Sequence, residues 1–232
     1  MRGLVPAAGR GTRLAPLTDD RPKGLVEVGG RSLLAHVFDA LAPHVDAYVV
    51  VIGYRGGQIR DHFGESYEGR PLSYVEQPDR QGLADAVLRA ESLLGEPFLQ
   101  LNGDNVLRGN VGGVRRRHRE QGADATLLVD RVTEARARRG GVLELEDGDV
   151  VDVVEKPDDP PSRLASTGCF ALSPRVFEAC RAIDRSERGE YELTDAIRWL
   201  LEHGGTVETV RFEGRRVNVN TREDVERAEA QL

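Results

Sequence analysis

Lysine is the scarcest basic residue of this chain, and its two occurrences are the first clue to chemistry. Of the 32 lysines and arginines, 30 are arginine, and the lysines stand at Lys23 and Lys156. Arginine presents a rigid planar fork, whereas lysine is a compact charge on a mobile stem that can follow a phosphoryl group. Lys23 closes the segment GRGTRLAPLTDDRPK, whose glycines follow a first apolar run at 2–8. A glycine-rich turn after a first strand frees backbone N–H groups and lets a phosphate come close to the chain. Neither common fingerprint is present: GxGxxG needs glycine where Leu14 stands, and GxxxxGK[ST] is absent. By itself, GRG reads more simply as a structural turn. The same holds for Gln77, which precedes a proline, and for Asp104 in LNGDN, which reads as a turn cap. Asp104 nevertheless follows an apolar run at 98–101, so it falls at the carboxyl edge of a strand, where α/β sheets collect ligands.

Elements that would hold these residues are legible in the periodicity. Short apolar or β-rich runs at 2–8, 45–52, 72–75 and 98–101 predict strands. Leu33, Leu34, Val37, Phe38 and Leu41 form one helical stripe over 32–42, and 83–94 repeats the pattern. Strand alternating with helix predicts an α/β fold with a mostly parallel sheet and helices on both faces. After 125–132 the rhythm changes: 142–145 and 150–154 flank a Glu-Asp-Gly-Asp turn, a hairpin signal. Helical segments at 174–183 and 192–203 and strands at 206–212 and 216–219 follow. Thr221 then caps a last helix, with Glu223 and Asp224 in its first turn. With no repeat or low-complexity linker, 1–232 is expected to form a single domain with an inserted β-rich lobe at about 130–170.

Composition excludes several classes. A net charge of −7 argues against nucleic acid as a partner, because phosphate-backbone binding needs a dominant basic face. The run Arg115-Arg116-Arg117-His118-Arg119 is read as a solvated helix face. No apolar run reaches the roughly 20 residues of a membrane span, and the start does not resemble a signal peptide, so the expected location is the cytoplasm. Cys169 and Cys180 form no CxxC pair and are expected as buried free thiols. A homo-oligomer is compatible with the sequence.

The long run Gly11-Thr12-Arg13-Leu14, Pro16-Leu17-Thr18 and Pro22-Lys23 resembles the signature of the sugar-1-phosphate nucleotidylyltransferases. Three further segments, QPxxxGLA from Gln77, LNGDN from Leu101 and VEKP from Val154, fall in that family's order and extend the resemblance across nearly the whole chain. The resemblance implies a Rossmann-like, three-layer α/β/α nucleotidyltransferase fold whose β-rich insertion binds the sugar. It implies that Gly9, Gly11 and Thr12 wrap a nucleoside triphosphate, with Arg13 and Lys23 on its phosphates and Gln77 and Gly82 on a pyrimidine edge. An amide carries both a donor and an acceptor, which suits the mixed edge of uracil or thymine. Asp104 is then the Mg²⁺ aspartate; a cation that keeps most of its waters needs only one or two protein carboxylates plus substrate phosphates. On the acceptor side, Glu155 would bind sugar hydroxyls and Lys156 the attacking phosphate, with Asn105, Gly141 and Arg188 beside them.

Two positions depart from the family pattern. Gly140 stands where a tyrosine is frequent, and Asn218 stands where many members carry a second metal-binding aspartate, so metal binding there would be weaker. The reaction implied is transfer of a nucleoside monophosphate from UTP or dTTP to a sugar 1-phosphate, glucose 1-phosphate foremost, giving a nucleotide sugar and pyrophosphate. The attacking phosphate oxygen is already anionic, so positioning and electrostatics suffice and no general base is needed. Mannose 1-phosphate or phosphocholine as acceptor would suit the same fold. A non-catalytic nucleotide-sugar-binding regulator is the reading Asn218 favours, and the joint presence of Arg13, Lys23, Asp104 and Lys156 speaks against it. The chain ends at 232 soon after these motifs, which predicts no C-terminal acyltransferase or β-helix domain.

Overall fold

Successive side chains of a strand point to opposite faces of its sheet, and the central strands here are apolar on both. Strand β1 (Arg2–Pro6) sends Leu4 into one core and Val5 into another, and β4 (Ala47–Ile52) sends Val49 and Val51 one way and Tyr48, Val50 and Ile52 the other. A sheet so constructed must be covered twice. The computed structural model describes residues 1–232 and has that architecture.

Between β1 and β4 lie three 3-10 turns, the small hairpin β2 (Glu27–Val28) and β3 (Arg31–Ser32), and helix α1 (Leu33–Leu41). Next come α2 (Gly56–Phe63), β5 (Ser66–Tyr67), β6 (Arg70–Glu76), α3 (Leu83–Arg89), β7 (Phe98–Leu101), β8 (Asn105–Gly109), α4 (Val111–Gln121) and β9 (Ala125–Arg131). The second half comprises α5 (Glu134–Ala137), β10 (Gly141–Glu146), β11 (Asp149–Glu155), β12 (Leu164–Leu172), α6 (Arg175–Ala182), α7 (Leu193–Glu202), β13 (Val207–Arg211), β14 (Gly214–Asn218) and α8 (Arg222–Glu229). The main sheet has ten strands and runs β11-β10-β12-β7-β1-β4-β6-β5, with β9 paired to β12 and β13 to β9. Its centre is parallel, β7, β1, β4 and β6 all running the same way, and β12 joins antiparallel through Cys169↔Leu101 to Leu172↔Phe98. One face is covered by α3, α6 and α7, through Val87, Phe177 and Ile197, and the other by α1, α2 and α4, through Phe38, Ile59 and Val114. The result is an α/β fold of three layers around a large, mostly parallel central sheet. No helix is long and apolar enough to cross a membrane.

The hairpin expected around 142–154 is β10–β11, and it continues the main sheet through Val142↔Ala165. The stripe expected over 83–94 breaks after Arg89 into a short 3-10 turn at Glu91–Leu93. Several elements were not expected: the short β2–β3 hairpin, β5 and α5, and the longer α2, β8 and β12. The basic run at 115–119 lies on α4, with His118 facing inward and Arg116, Arg117 and Arg119 exposed, as a solvated face requires. Both cysteines are free and buried.

A third, smaller core shapes the site. Leu14, Val26, Val28 and Leu33 pack with Val106, Val217, Val219 and Ala228, tying the first glycine turn to β14 and α8. Helix α8 is fixed by a capping box: Asp224 N–H donates to Thr221 Oγ1 at 3.3 Å and Thr221 N–H donates to Asp224 Oδ2 at 2.9 Å.

Candidate active site

The carboxyl ends of β1, β6, β7 and β11 open onto one cleft of about 480 Å³. Of the residues singled out in the sequence, Gly9, Arg13, Lys23, Gln77, Gly82, Asp104, Gly141, Glu155, Lys156 and Asn218 line it. Gly11, Thr12, Asn105 and Arg188 are not among its lining residues. Asn105 is completely buried, and neither amide atom has a hydrogen-bond partner.

The glycine turn leaves β1 and folds back on itself. Gly11 has a left-handed backbone, φ 69°, and its carbonyl accepts from Leu14 N–H at 2.8 Å and from Thr18 Oγ1 at 2.9 Å. A Cβ there would lie 2.9 Å from Cβ of Lys23, so the absent side chain is what lets the lysine stem pass. At Gly9 an added Cβ would meet nothing, so the fold does not demand glycine there and the open space belongs to the cleft.

Lys23 Nζ donates to Asp104 Oδ2 at 2.8 Å and to Asn220 Oδ1 at 3.0 Å, and Arg13 donates to the same Asn220 oxygen at 2.8 Å. Asn220 Nδ2 in turn donates to Asn218 Oδ1 at 2.7 Å. The sequence VNVN makes this possible: Val217 and Val219 turn into the third core, so Asn218 and Asn220 turn toward the cleft. Asn220 is the joining residue that motif reading missed, although the alternation that aims it was in plain view. Val219 N–H also donates to the Asp104 carbonyl at 2.8 Å, pinning the aspartate to β14.

The other wall is built from β10 and β11. Lys156 holds a left-handed backbone, φ 44°, unusual for a non-glycine residue, with its N–H donating to the Gly140 carbonyl at 3.0 Å. Its ammonium lies 3.3 Å from Glu155 Oε1, and Arg188 lies 3.8 Å from the same oxygen. A Cβ at Gly141 would sit 2.7 Å from Thr194 Cγ2 and 3.4 Å from Glu155 Oε2, so glycine leaves room for the acid. Arg188 is shared with Glu192 at 3.4 Å and Glu190 at 3.6 Å. Burial, reinforced by neighbouring Glu155, raises the carboxyl of Glu192 above the usual range, and Arg188 opposes the shift. Glu192, Thr194 and Arg216 all line the cleft and were not singled out in the sequence. Arg216 donates to the Thr167 carbonyl at 3.0 Å, and burial lowers its pKa from the ordinary arginine value.

Whether these residues suit a hard cation is tested by Asp104. Its Oδ1 is buried without any hydrogen-bond partner while Oδ2 takes Lys23, and an unpaired carboxylate oxygen at the cleft is a fitting donor for Mg²⁺. Asn218 offers an amide oxygen on the same side, already engaged by Asn220.

This arrangement can gather two anions: Arg13 and Lys23 lie on one wall, Lys156 on the other, and no histidine or cysteine lines the space between. The sequence profile of the nucleotidyl transferase family matches residues 2–218. The chain is 42% identical over 234 aligned residues to the UTP–glucose-1-phosphate uridylyltransferase AglF of Haloferax volcanii, covering 100% of this chain and 96% of that protein. It is 38% identical over 218 residues to a glucose-1-phosphate thymidylyltransferase of Streptomyces griseus, covering 92% of this chain and spanning 61% of that protein. Among solved structures, UDP-glucose pyrophosphorylase complexed with UDP-glucose is similar at a TM-score of 0.88 and 26% identity, over 99% of this chain and 97% of that one. Cleft, fold and likenesses converge on one conclusion: the chain belongs to the nucleotidyl transferase family.

Proposed function

We propose that the protein transfers a uridylyl or thymidylyl group from UTP or dTTP to a sugar 1-phosphate, with glucose 1-phosphate as the acceptor of first choice. A phosphate oxygen of the sugar phosphate bonds to the α-phosphorus, the bond from that phosphorus to the bridging oxygen breaks, and pyrophosphate leaves with the electron pair. The observation that carries this reading is that the only two lysines of the chain line the same cleft from different elements.

Arg13 and Lys23 hold the triphosphate, Gln77 and Gly82 the base, and Lys156 the attacking phosphate, with Glu155 on sugar hydroxyls. Mg²⁺, held by Asp104 with Asn218 as a weaker second donor, would neutralise charge on the triphosphate when bound. The nucleophile is an anion at neutral pH, so the side chains need only align it and screen the repulsion between two polyanions. The chemistry of the cysteines agrees: burial pushes both thiols up to about 12, which suits packing and not nucleophilic attack. The cytoplasm is the location proposed with this reaction, because nucleoside triphosphates and sugar phosphates are made and used there.

The test is to incubate the protein with Mg²⁺, each nucleoside triphosphate and a panel of sugar phosphates that includes mannose 1-phosphate, with phosphocholine as a further acceptor. Pyrophosphate release with UTP or dTTP and glucose 1-phosphate is expected. Tight nucleotide-sugar binding with no release from any pair would favour the regulatory reading instead.

A further inference from the structure

The amide of Gln77 is held in one orientation by two acceptors, one of which, Asp85, was not part of any motif. Gln77 follows β6, is 3% exposed, and has its N–H tied to the Ile52 carbonyl at 2.8 Å. Its Nε2 donates to the Gly82 carbonyl at 3.0 Å and to Asp85 Oδ2 at 2.7 Å. Both neighbours are acceptors, so a flipped amide would set oxygen against oxygen twice, and the orientation is forced. Asp85 is held in turn by Arg89, one turn along α3, whose Nε donates to the same Oδ2 at 2.8 Å. An amide nitrogen has two hydrogens, and both are used. What remains for a ligand is Oε1, which takes no hydrogen bond from the protein.

The neighbouring group is equally fixed. Gly82 has φ 110°, and its N–H donates to nothing in the protein. The loop is braced from behind, because Ala84 N–H donates to the Tyr191 carbonyl at 3.0 Å and Tyr191 N–H donates to the Gln81 carbonyl at 2.7 Å. The cleft therefore presents an acceptor, Gln77 Oε1, beside a donor, Gly82 N–H.

We propose that Asp85 is a positioning residue for base selection: with the Gly82 carbonyl it consumes both amide hydrogens of Gln77, making that side chain an acceptor-only probe. Such a probe requires a protonated ring nitrogen next to a carbonyl, which among the pyrimidines is the N3–H of uracil or thymine. At the same place cytosine carries a bare N3 whose lone pair would face Oε1. This rests on the proposed reading of the cleft as a pyrimidine nucleotide site. Asp85 does not touch the base; it acts through Gln77.

The experiment measures kcat and KM for UTP and CTP, and equilibrium binding of each by calorimetry, in wild type and in Asp85→Ala. Wild type is expected to favour UTP by about a hundred-fold or more, since a bare acceptor opposite a buried acceptor is left unpaired. In Asp85→Ala one of two holds on the amide is gone, and the UTP:CTP ratio is expected to fall about ten-fold or more, through KM and not kcat. Asp85→Asn should keep the ratio near wild type, because Arg89 still draws the residue-85 oxygen and holds it toward Gln77. Should Asp85→Ala fail to fold, the double variant Asp85→Asn/Arg89→Ala, free to turn its amide hydrogens toward Gln77, should lower the ratio instead. Equal loss for both nucleotides, or a wild type that binds CTP as well as UTP, would overturn the proposal. If wild type releases no pyrophosphate from any pair, the proposed reaction fails, and the binding ratio still decides the role of Asp85.

Discussion

Replacing Lys23 by arginine keeps the charge and changes only the shape of the head, which makes it the sharpest probe of the proposed triphosphate wall. The lysine stem runs against Gly11, where a Cβ would already be 2.9, 3.2 and 3.3 Å from Cβ, Cγ and Cδ of the lysine. Its ammonium sits between Asp104 Oδ2 and Asn220 Oδ1, and its side chain is 13% exposed. A planar guanidinium on that stem must push Asp104 or Asn220 aside, and Asn220 already accepts from Arg13. Misplacing one charged donor at a phosphoryl-transfer site lowers turnover by about ten-fold to a hundred-fold, or about 1.4–2.7 kcal/mol in barrier. Lys23→Ala should lose about 10² or more. It also strips Asp104 of its remaining partner, at about 1–3 kcal/mol for a stranded acceptor. Because the Asp104 side chain keeps 26% exposure to the cleft, the lower end applies, and a chain of this size should melt only about 2–4 °C lower. Pyrophosphate release under saturating substrates and thermal unfolding by circular dichroism separate the two effects. A fully active Lys23→Arg would refute the claim that a small mobile ammonium is needed, and near-normal Lys23→Ala would remove Lys23 from the mechanism.

Three other outcomes are expected. Gly82→Ala should fold poorly or lose nucleotide binding, since a Cβ would lie 2.3 Å from the Tyr191 carbonyl oxygen at φ 110°; chemical denaturation should show at least about 1–3 kcal/mol of loss. Glu192 has a carboxyl pKa raised in the fold by burial, so its contribution favours the fold below the usual carboxylate range and is lost as pH rises through the raised value. Glu192→Gln never ionises, so its stability relative to wild type should grow between pH 4 and pH 7 in urea titrations; a difference independent of pH would contradict the assigned shift. Cys169 and Cys180, both raised to about 12 by burial, should resist iodoacetamide at pH 8 in the native protein and react fully in denaturant; fast native labelling would place a thiol at the surface.

What the sequence disclosed, it disclosed through periodicity and long motifs. The stripe of Leu33 to Leu41 and the continuous apolar run that becomes β4 are strong signals, and each has its counterpart in the fold. Strand β12 was hidden because LASTGCFAL lacks alternation and carries Gly168 at φ 83° in its middle, where the pairing with β9 shifts register. Helix α2 begins with two glycines, the weakest of ordinary helix formers, and packing of Ile59 offsets that deficit. At the site, Gln77, Asp104, Glu155 and the two lysines are found because they sit in contiguous motifs. Asn220, Arg216, Glu192 and Asp85 are not, because they stand outside those motif runs and their importance lies in partners, such as Arg13, 207 residues from Asn220, and Thr167, 49 residues from Arg216, that only the folded chain brings together.

The central claim is that a phosphate oxygen of the sugar 1-phosphate attacks the α-phosphorus of the nucleotide. Glucose 1-phosphate labelled with ¹⁸O on its non-bridging phosphate oxygens, incubated with Mg²⁺, UTP or dTTP and the protein, tests it by mass spectrometry of both products. The account predicts a nucleotide sugar that retains every labelled oxygen, together with unlabelled pyrophosphate. Label in the pyrophosphate, or the absence of any nucleotide sugar, would contradict it.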